Sequence, residues 1–127
     1  MSATSVPASA GVNVVVLAGR LSSAPVERSL VSGSVLWSLE VTTEIDGGSC
    51  SVPVVWFDPP AAPVLDAGDV VLVRGTVRRR FFRSAGGTQS RTEVRADEVV
   101  AAADRRRARA FLRRAGGDLA DRLETVL

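Results

Sequence analysis

Residues 69–83 read DVVLVRGTVRRRFFR, and this stretch decides the fold because its character changes halfway along. The first half is rich in valine, which favours a β-strand, and the second half interleaves arginines with two phenylalanines. Successive side chains of a strand point to opposite faces of a sheet, so parity predicts two different surfaces. The predicted core face holds Val71, Val73, Gly75 and Val77, and the other face holds Arg74, Thr76, Arg78, Arg80 and Phe82.

Four further strands are predicted from valine content, alternation and turn residues. They cover residues 12–21, 35–44, 51–57 and 91–100. The stretch SAGGTQS at 84–90 is predicted to be a hairpin loop, and Pro53 indicates an edge strand or a bulge. Prolines between residues 58 and 68 leave room for only a turn or two of helix. An all-β chain with five strands in this order is typical of an OB-fold, a small barrel that binds oligonucleotides.

Charge is distributed unevenly along the chain. Residues 1–73 carry two arginines against seven acids, residues 74–95 carry seven arginines against Glu93, and residues 103–114 carry six arginines against Asp104. The sequence contains no lysine; arginine suits planar contacts to phosphate and flat rings, although genomic base composition can equally produce this preference. The two basic segments indicate a protein that binds a polyanion.

The arginine-aromatic pattern of the long strand narrows the class of polyanion. Guanidinium groups hold phosphates while a ring offers a platform for a base, which is what single-stranded nucleic acid requires. The alternative is a solvated strand on which Phe82 covers a hydrophobic edge. Arg91 and Arg95, in phase on the returning strand, favour binding.

Several other functions have little support in the sequence. Cys50 is the only cysteine and there is no histidine, so neither an internal disulfide nor a cysteine-clustered metal site is expected. The Gly-rich loop lacks the lysine and spacing of a phosphate-binding loop, and the chain is predicted to be non-catalytic, without cofactor. No apolar run approaches the roughly 18 residues of a membrane span. The start, residues 1–10, is predicted to be a flexible polar arm, and the protein to be cytoplasmic and nucleoid-associated.

Four stretches carry a family resemblance. They are GVNVVVLAGRLSSAPVERSLVSG at 11–33, LWSLEVTTE at 36–44, VPVVWFDP at 52–59, and RGTVRRRFF with GGTQSRTEV between 74 and 94. In this order and spacing they resemble the bacterial single-stranded DNA-binding protein family, over about residues 11–100. The resemblance implies homo-oligomers, tetramers or dimers, that wrap single-stranded DNA without reading its sequence during replication, repair or recombination.

The resemblance also implies binding residues. Arg78, Arg80 and Phe82 match the family's basic and stacking positions on the long hairpin, and Phe57 matches a stacking aromatic. Arg20 replaces a polar residue, so its phosphate contact is inferred from charge. With the in-phase arginines, the predicted nucleic-acid-binding set is Arg20, Phe57, Arg74, Arg78, Arg80, Phe82, Arg91 and Arg95.

The chain departs from the family pattern at three positions. Ile45 and Ser51 occupy two further stacking positions, and Val52 replaces a histidine of the family's subunit interface. Each stacked base contributes roughly 1 to 3 kcal/mol, so the loss of two platforms should weaken binding or shift it toward electrostatics. Trp37 and Trp56 share parity with core residues and are predicted to be buried or interfacial.

The C-terminal segment differs most from the family. Residues 11–102 are predicted to form the OB-fold domain and residues 103–127 a basic helical extension, with one helix ending at Gly116 and a second capped by Asp118. The family's polar linker and acidic tip have no match here, so its recruiting role does not transfer. The candidate additional DNA contacts of the extension are Arg105, Arg106, Arg109 and Arg113. The alternative for these arginines is a solvated face on a helix that packs back on the barrel or on a second subunit.

Two alternative functions stay open. The first is an OB-fold adaptor that binds a replication or recombination protein through its C-terminal helices, with weak or no DNA binding. The second is RNA binding, because stacking and phosphate contacts tolerate either sugar.

Overall fold

The computed structural model describes residues 11–127, and the arm predicted over residues 1–10 lies outside them. The described chain is mostly β, as predicted, with one C-terminal helix. No helix in this range is long and apolar enough to cross a membrane. The elements are β1 (Val15–Leu21), β2 (Val26–Ser29), β3 (Val35–Ile45), β4 (Gly48–Phe57), β5 (Val70–Ser84), β6 (Gly87–Ala101) and α1 (Arg105–Val126).

All six strands belong to one sheet, in the order β1-β5-β6-β4-β3-β2. The end of β1 also pairs with β3, where Arg20 lies opposite Thr42, so the pairings lead back to the strand from which they start. Neighbouring strands are antiparallel except β4 and β6, whose short parallel contact lies at Val54 and Val55. Pro53 precedes this contact and pairs only with β3, which agrees with the edge position its missing N–H requires.

The core lies on one side of the sheet, here called the inner face. Leu39, Val41, Val71 and Val73 are at most 3% exposed, and Trp37 and Trp56 pack with them, as predicted. The opposite side of the sheet is called the outer face. Parity therefore sorts β5 correctly over its first half.

Val77 was predicted to be a core residue, and that prediction is wrong because its side chain is 44% exposed. The pairing of β1 with β5 ends at Gly75, so from Val77 onward β6 is the only strand of the described chain beside β5. The side-chain amide of Asn13 takes the place of a strand there, donating to the Val77 carbonyl at 2.8 Å and accepting from its N–H at 2.9 Å. Beyond this point β5 and β6 form a two-stranded arm.

The arm is longer than predicted because its loop is shorter. Ser84 pairs with Gly87, which leaves only Ala85 and Gly86 in the turn, and residues 87–90 of the predicted loop belong to β6. A second tight turn, Asp46-Gly47, has φ values of 50° and 79° at its two central residues. Two positive φ values are typical of the type I′ turn, whose twist matches that of the strands it joins.

Two other predictions between the strands need correction. Residues 58–69 contain no helix, because prolines at 59, 60 and 63 lack a donor N–H and disfavour helical φ/ψ in the residue before them. The strand β2 was missed and makes six strands instead of five. Its four residues are all exposed and pair only with β3, so no apolar alternation marks it in the sequence.

The predicted pair of C-terminal helices is a single helix, α1. It begins after Asp104, whose carboxylate accepts from the Arg107 N–H at 3.2 Å, and it continues through Gly116 and Gly117. Glycine permits a helix stop but does not force one. Phe111 is fully buried and packs with Val100, so the helix is anchored to the sheet by its first half.

Gly75 provides a test of the close approach between β5 and β6. A Cβ at this position would lie 2.1 Å from the Arg95 carbonyl oxygen, whereas one at Gly117 in α1 would meet nothing within 4 Å. We expect Gly75→Ala to lower the free energy of unfolding by about 1 to 3 kcal/mol. Gly117→Ala, the matched control, should raise it by up to about 1 kcal/mol. Urea denaturation measures both, and equal effects would contradict this packing.

Candidate functional site

The outer face of β5 and β6 carries the predicted arginine row. Paired residues on neighbouring strands share a face, and Arg78 pairs with Glu93 while Arg80 pairs with Arg91. Arg95 pairs with Thr76 on one side and lies beside Val55 of β4 on the other. The structure therefore brings Arg78, Arg80, Arg91 and Arg95 onto one continuous surface.

Two phenylalanines on this surface lie against guanidinium groups. The Arg95 guanidinium carbon is 4.5 Å from the Phe57 ring centroid, and that of Arg80 is 5.3 Å from the Phe82 ring centroid. Both distances fall within the range of a cation-π contact. Phe82 stays 38% exposed at the arm. Each predicted stacking residue thus has a positive charge directly beside its ring.

Glu93 is a buried acid in the middle of the basic surface. Its side chain is 6% exposed, and its carboxylate oxygens lie 3.5 Å from Arg80 Nε and 3.8 Å from Arg91 Nε. Within residues 11–127, Glu93 Oε1 has no hydrogen-bond partner. A buried carboxylate requires nearby positive charge, so Glu93 holds two arginines at the surface. Sequence reasoning missed this role because it counted Glu93 only as one negative charge.

A groove of about 380 Å³ lies beside these residues. Its charged lining includes Glu93, Arg80, Arg91, Glu40 and Arg28, and Phe57 is its aromatic. Arg91 Nη2 is 3.6 Å from a Glu40 carboxylate oxygen, so the groove alternates positive and negative groups. Arg28 comes from β2, the strand without a sequence signal, and could not have been found by parity.

Two predicted residues lie outside this surface. Arg74 lies at the helix end of β5, 3.7 Å from Glu98 and 3.6 Å from Asp118 of α1, and its side chain is 22% exposed. Arg20 donates from Nη1 to the Gly68 carbonyl at 3.2 Å, at the junction of β1 and β3. Arg74 therefore holds the helix, and Arg20 holds a turn.

The helix lies on the same outer face, at the end of β5 opposite the arm. Phe111 and Ala115 pack with Leu72 and Val100, and Leu72 has the same parity as Arg78. Arg114 donates to Glu98, which adds an ion pair between α1 and β6. The four helix arginines predicted as additional contacts, Arg105, Arg106, Arg109 and Arg113, are all exposed.

The other side of the arm repeats the pattern of the outer face. Arg79, Phe81 and Arg83 are exposed there, and Phe81 is 65% exposed. Within the described chain neither Arg79 nor Arg83 forms an ion pair. This second side lacks the groove. The two sides of the arm therefore carry the same residue types but differ in whether a groove lies beside them.

Of the three positions that depart from the family pattern, Ile45 is the last residue of β3 and Ser51 lies on β4, opposite Thr42. Ile45 is 55% exposed, and Ser51 Oγ lies 3.0 Å from Thr42 Oγ1. Neither residue offers a ring. In this structure the aromatic platforms of the outer face are Phe57 at the groove and Phe82 on the arm.

Comparison with known proteins gives no independent identification. Neither a protein-family model nor a curated protein sequence matches this chain.

Proposed function

We propose that this protein binds single-stranded DNA without reading its sequence, through the outer face of β4, β5 and β6. The observation that carries the proposal is the pair of arginine-phenylalanine contacts beside a groove on one continuous basic surface. Proteins that bind single strands combine a positively charged groove with aromatic platforms. The outer face has both components on one surface, where a single nucleic-acid strand can contact them.

Each part of the surface has a separate role in this proposal. The guanidinium groups of Arg78, Arg80 and Arg91 contact phosphates, a role that suits their planar, always-charged form. A base stacks on Phe82, and a second replaces or continues the contact between Arg95 and Phe57, since bases also stack on guanidinium planes. The exposed helix arginines extend the basic surface beyond the sheet.

The strand pairings support the assignment of the sheet to the OB-fold. The sequence of pairings β1-β3-β4-β6-β5-β1 is the order of a five-stranded Greek-key barrel, with β2 added at β3. The single parallel contact, between β4 and β6, suits this assignment. Together with the four motifs, it favours a member of the single-stranded DNA-binding protein family that is non-catalytic, cytoplasmic and active in replication, repair or recombination.

The first test separates the outer face from total charge. We expect Arg78→Ala/Arg80→Ala to weaken binding of a dT oligonucleotide and to make affinity less dependent on salt, because fewer counterions are released. Arg79→Ala/Arg83→Ala removes the same charge from the other side of the arm and should retain most of the binding. Fluorescence anisotropy at several salt concentrations measures both. Equal losses would place binding on the arm as a whole.

The second test concerns stacking. Phe57→Ala and Phe82→Ala should each weaken binding of the oligonucleotide by about 1 to 3 kcal/mol, the usual contribution of one stacked base. Phe81→Ala is the matched control, because it removes an exposed ring from the opposite side of the arm. A loss at Phe81 as large as that at Phe82 would contradict the assignment of faces.

The third test concerns the buried acid. Glu93→Gln removes one negative charge at nearly constant shape and releases Arg80 and Arg91 for phosphate. We expect tighter binding at low salt, by roughly 0.5 to 1 kcal/mol, and a steeper salt dependence. Glu44→Gln, at the exposed end of β3, is the control and should change little. Weaker binding of Glu93→Gln would mean that the ion pairs are needed to orient the arginines.

The same titrations distinguish the alternative functions. A ribo-oligonucleotide of equal length tests for RNA binding, since stacking and phosphate contacts do not depend on the sugar. A wild-type protein that binds neither the dT oligonucleotide nor the ribo-oligonucleotide would rule out the proposal and favour the adaptor function.

A further inference from the structure

The second half of α1 has little to pack against. The buried residues of the helix are Ala108, Phe111 and Ala115, and none follows. From Gly116 to Val126 the helix is tied to the described sheet only by the ion pair between Asp118 and Arg74. Gly116 and Gly117 lie at the start of this half and lower its intrinsic helix stability. In an isolated chain, few interactions stabilise the helical conformation of this half.

An apolar stripe nevertheless continues along the unsupported half. Leu112, Leu119, Leu123 and Val126 are 57%, 37%, 45% and 41% exposed. Their spacings of seven, four and three residues place them along one side of a helix. This side lies next to the line of buried residues. The apolar surface of the helix therefore continues beyond the last residue that packs on the sheet.

The charges of α1 run against the helix dipole. Residues 105–114 carry six arginines and no acid, whereas residues 115–127 carry Asp118, Asp121 and Glu124 against Arg122. The first turn has no acidic residue and the last turn has no basic one. Negative charge is favourable at a helix N-terminus and positive charge at its C-terminus. The observed order is therefore unfavourable for a lone helix.

An antiparallel partner with the same sequence resolves all three features. We propose that α1 pairs antiparallel with α1 of a second copy of this chain. The basic half of each helix then lies beside the acidic half of the other, and the two dipoles oppose. If Leu112 of one copy lies opposite Leu119 of the other, Glu124 reaches the turn that contains Arg106 and Arg109. A two-fold axis makes such a contact self-complementary.

Charge also argues against a nucleic acid as the occupant of this stripe. A polyanion would be attracted by residues 105–114 but repelled by Asp121 and Glu124, and it would leave the leucines exposed. A second copy satisfies both halves and covers the apolar side chains. The pairing does not depend on DNA binding. The sequence left open whether the helix packs on the barrel or on a second subunit, and the structure shows that only its first half packs on the sheet.

The first experiment removes the apolar contact between the two helices. Sedimentation velocity of the full chain over a concentration series should show a dimer or a larger even oligomer. Leu119→Glu/Leu123→Glu should weaken self-association at least about tenfold, because anchors at the centre of an interface dominate its energy. Val31→Glu/Val64→Glu places equal charges on apolar residues that are 109% and 95% exposed outside α1, and it should leave the assembly unchanged.

The second experiment tests whether the two helices pair in the antiparallel direction. Asp121→Arg/Glu124→Arg and Arg106→Glu/Arg109→Glu should each associate poorly alone, because each places like charges at positions that face each other in the antiparallel pair. An equimolar mixture should recover a dimer that contains one copy of each variant, detectable by fluorescent labelling of one variant. Circular dichroism verifies that the variants remain helical.

Three results would overturn the proposal. They are a wild-type chain that stays monomeric, an oligomer that resists Leu119→Glu/Leu123→Glu, and charge variants that fail to recover in the mixture. Anisotropy of Leu119→Glu/Leu123→Glu with dT keeps the two proposals apart, because neither leucine belongs to the proposed DNA-binding surface. Loss of self-association with retained DNA binding would support pairing through α1, whereas absence of DNA binding in every sample would count only against the function proposed above.

Discussion

The long pairing of β5 with β6, from Val71 to Ser84 with one register shift between Arg74 and Gly75, is the constraint on which the rest of this structure depends. Over its first half β5 is held between β1 and β6, and Val71 and Val73 are fully buried. Over its second half it has only β6 beside it and becomes an exposed arm. Because strand side chains alternate strictly, one line of outer-face residues runs through both halves. The helix contact at Leu72 and the arginine row therefore share one surface.

The outer face owes its electrostatic character to acids as much as to arginines. Glu93 lies among the arginines of the arm, and Glu98 lies among those that hold the helix. Glu93 is buried and Glu98 is partly buried, at 6% and 23% exposed, and a carboxylate requires a positive neighbour more strongly as it loses contact with water. The arginines divide accordingly into those paired with an acid, such as Arg80 and Arg91, and those, such as Arg78, that form no ion pair in the described chain. Among residues 11–127, Arg78 forms a side-chain hydrogen bond only with a neutral partner, the Thr76 hydroxyl, at 3.0 Å.

The helix adds a different kind of surface to the same sheet. Its first half is fixed by Phe111, which is fully buried, and by Arg114, which reaches Glu98. In its second half Asp118 is paired with Arg74 and Arg122, whereas Asp121, Glu124 and the exposed leucines have no partner in the described chain. In the two proposals made above, the sheet provides the surface for a polyanion and the helix provides the surface for self-association. Both surfaces involve β5. A ligand on the sheet would therefore bind close to the residues that hold the helix.

The sequence by itself determined the strand class, the two faces of β5 and the burial of Trp37 and Trp56, because alternation and valine content are local properties. It also predicted which arginines lie in phase beside Phe82. It did not predict the exposure of Val77, which depends on where β1 ends, or β2, whose four residues carry no apolar pattern.

Only the tertiary structure decided which arginines face a groove and which are engaged elsewhere. Arg74 and Arg78 have the same parity and the same residue type, yet Arg74 is held by Glu98 and Asp118 while Arg78 is not. The difference arises from α1, which begins more than twenty residues later in the chain and covers one end of β5. Parity fixes the side of the sheet to which a residue points, but long-range packing fixes what it meets there.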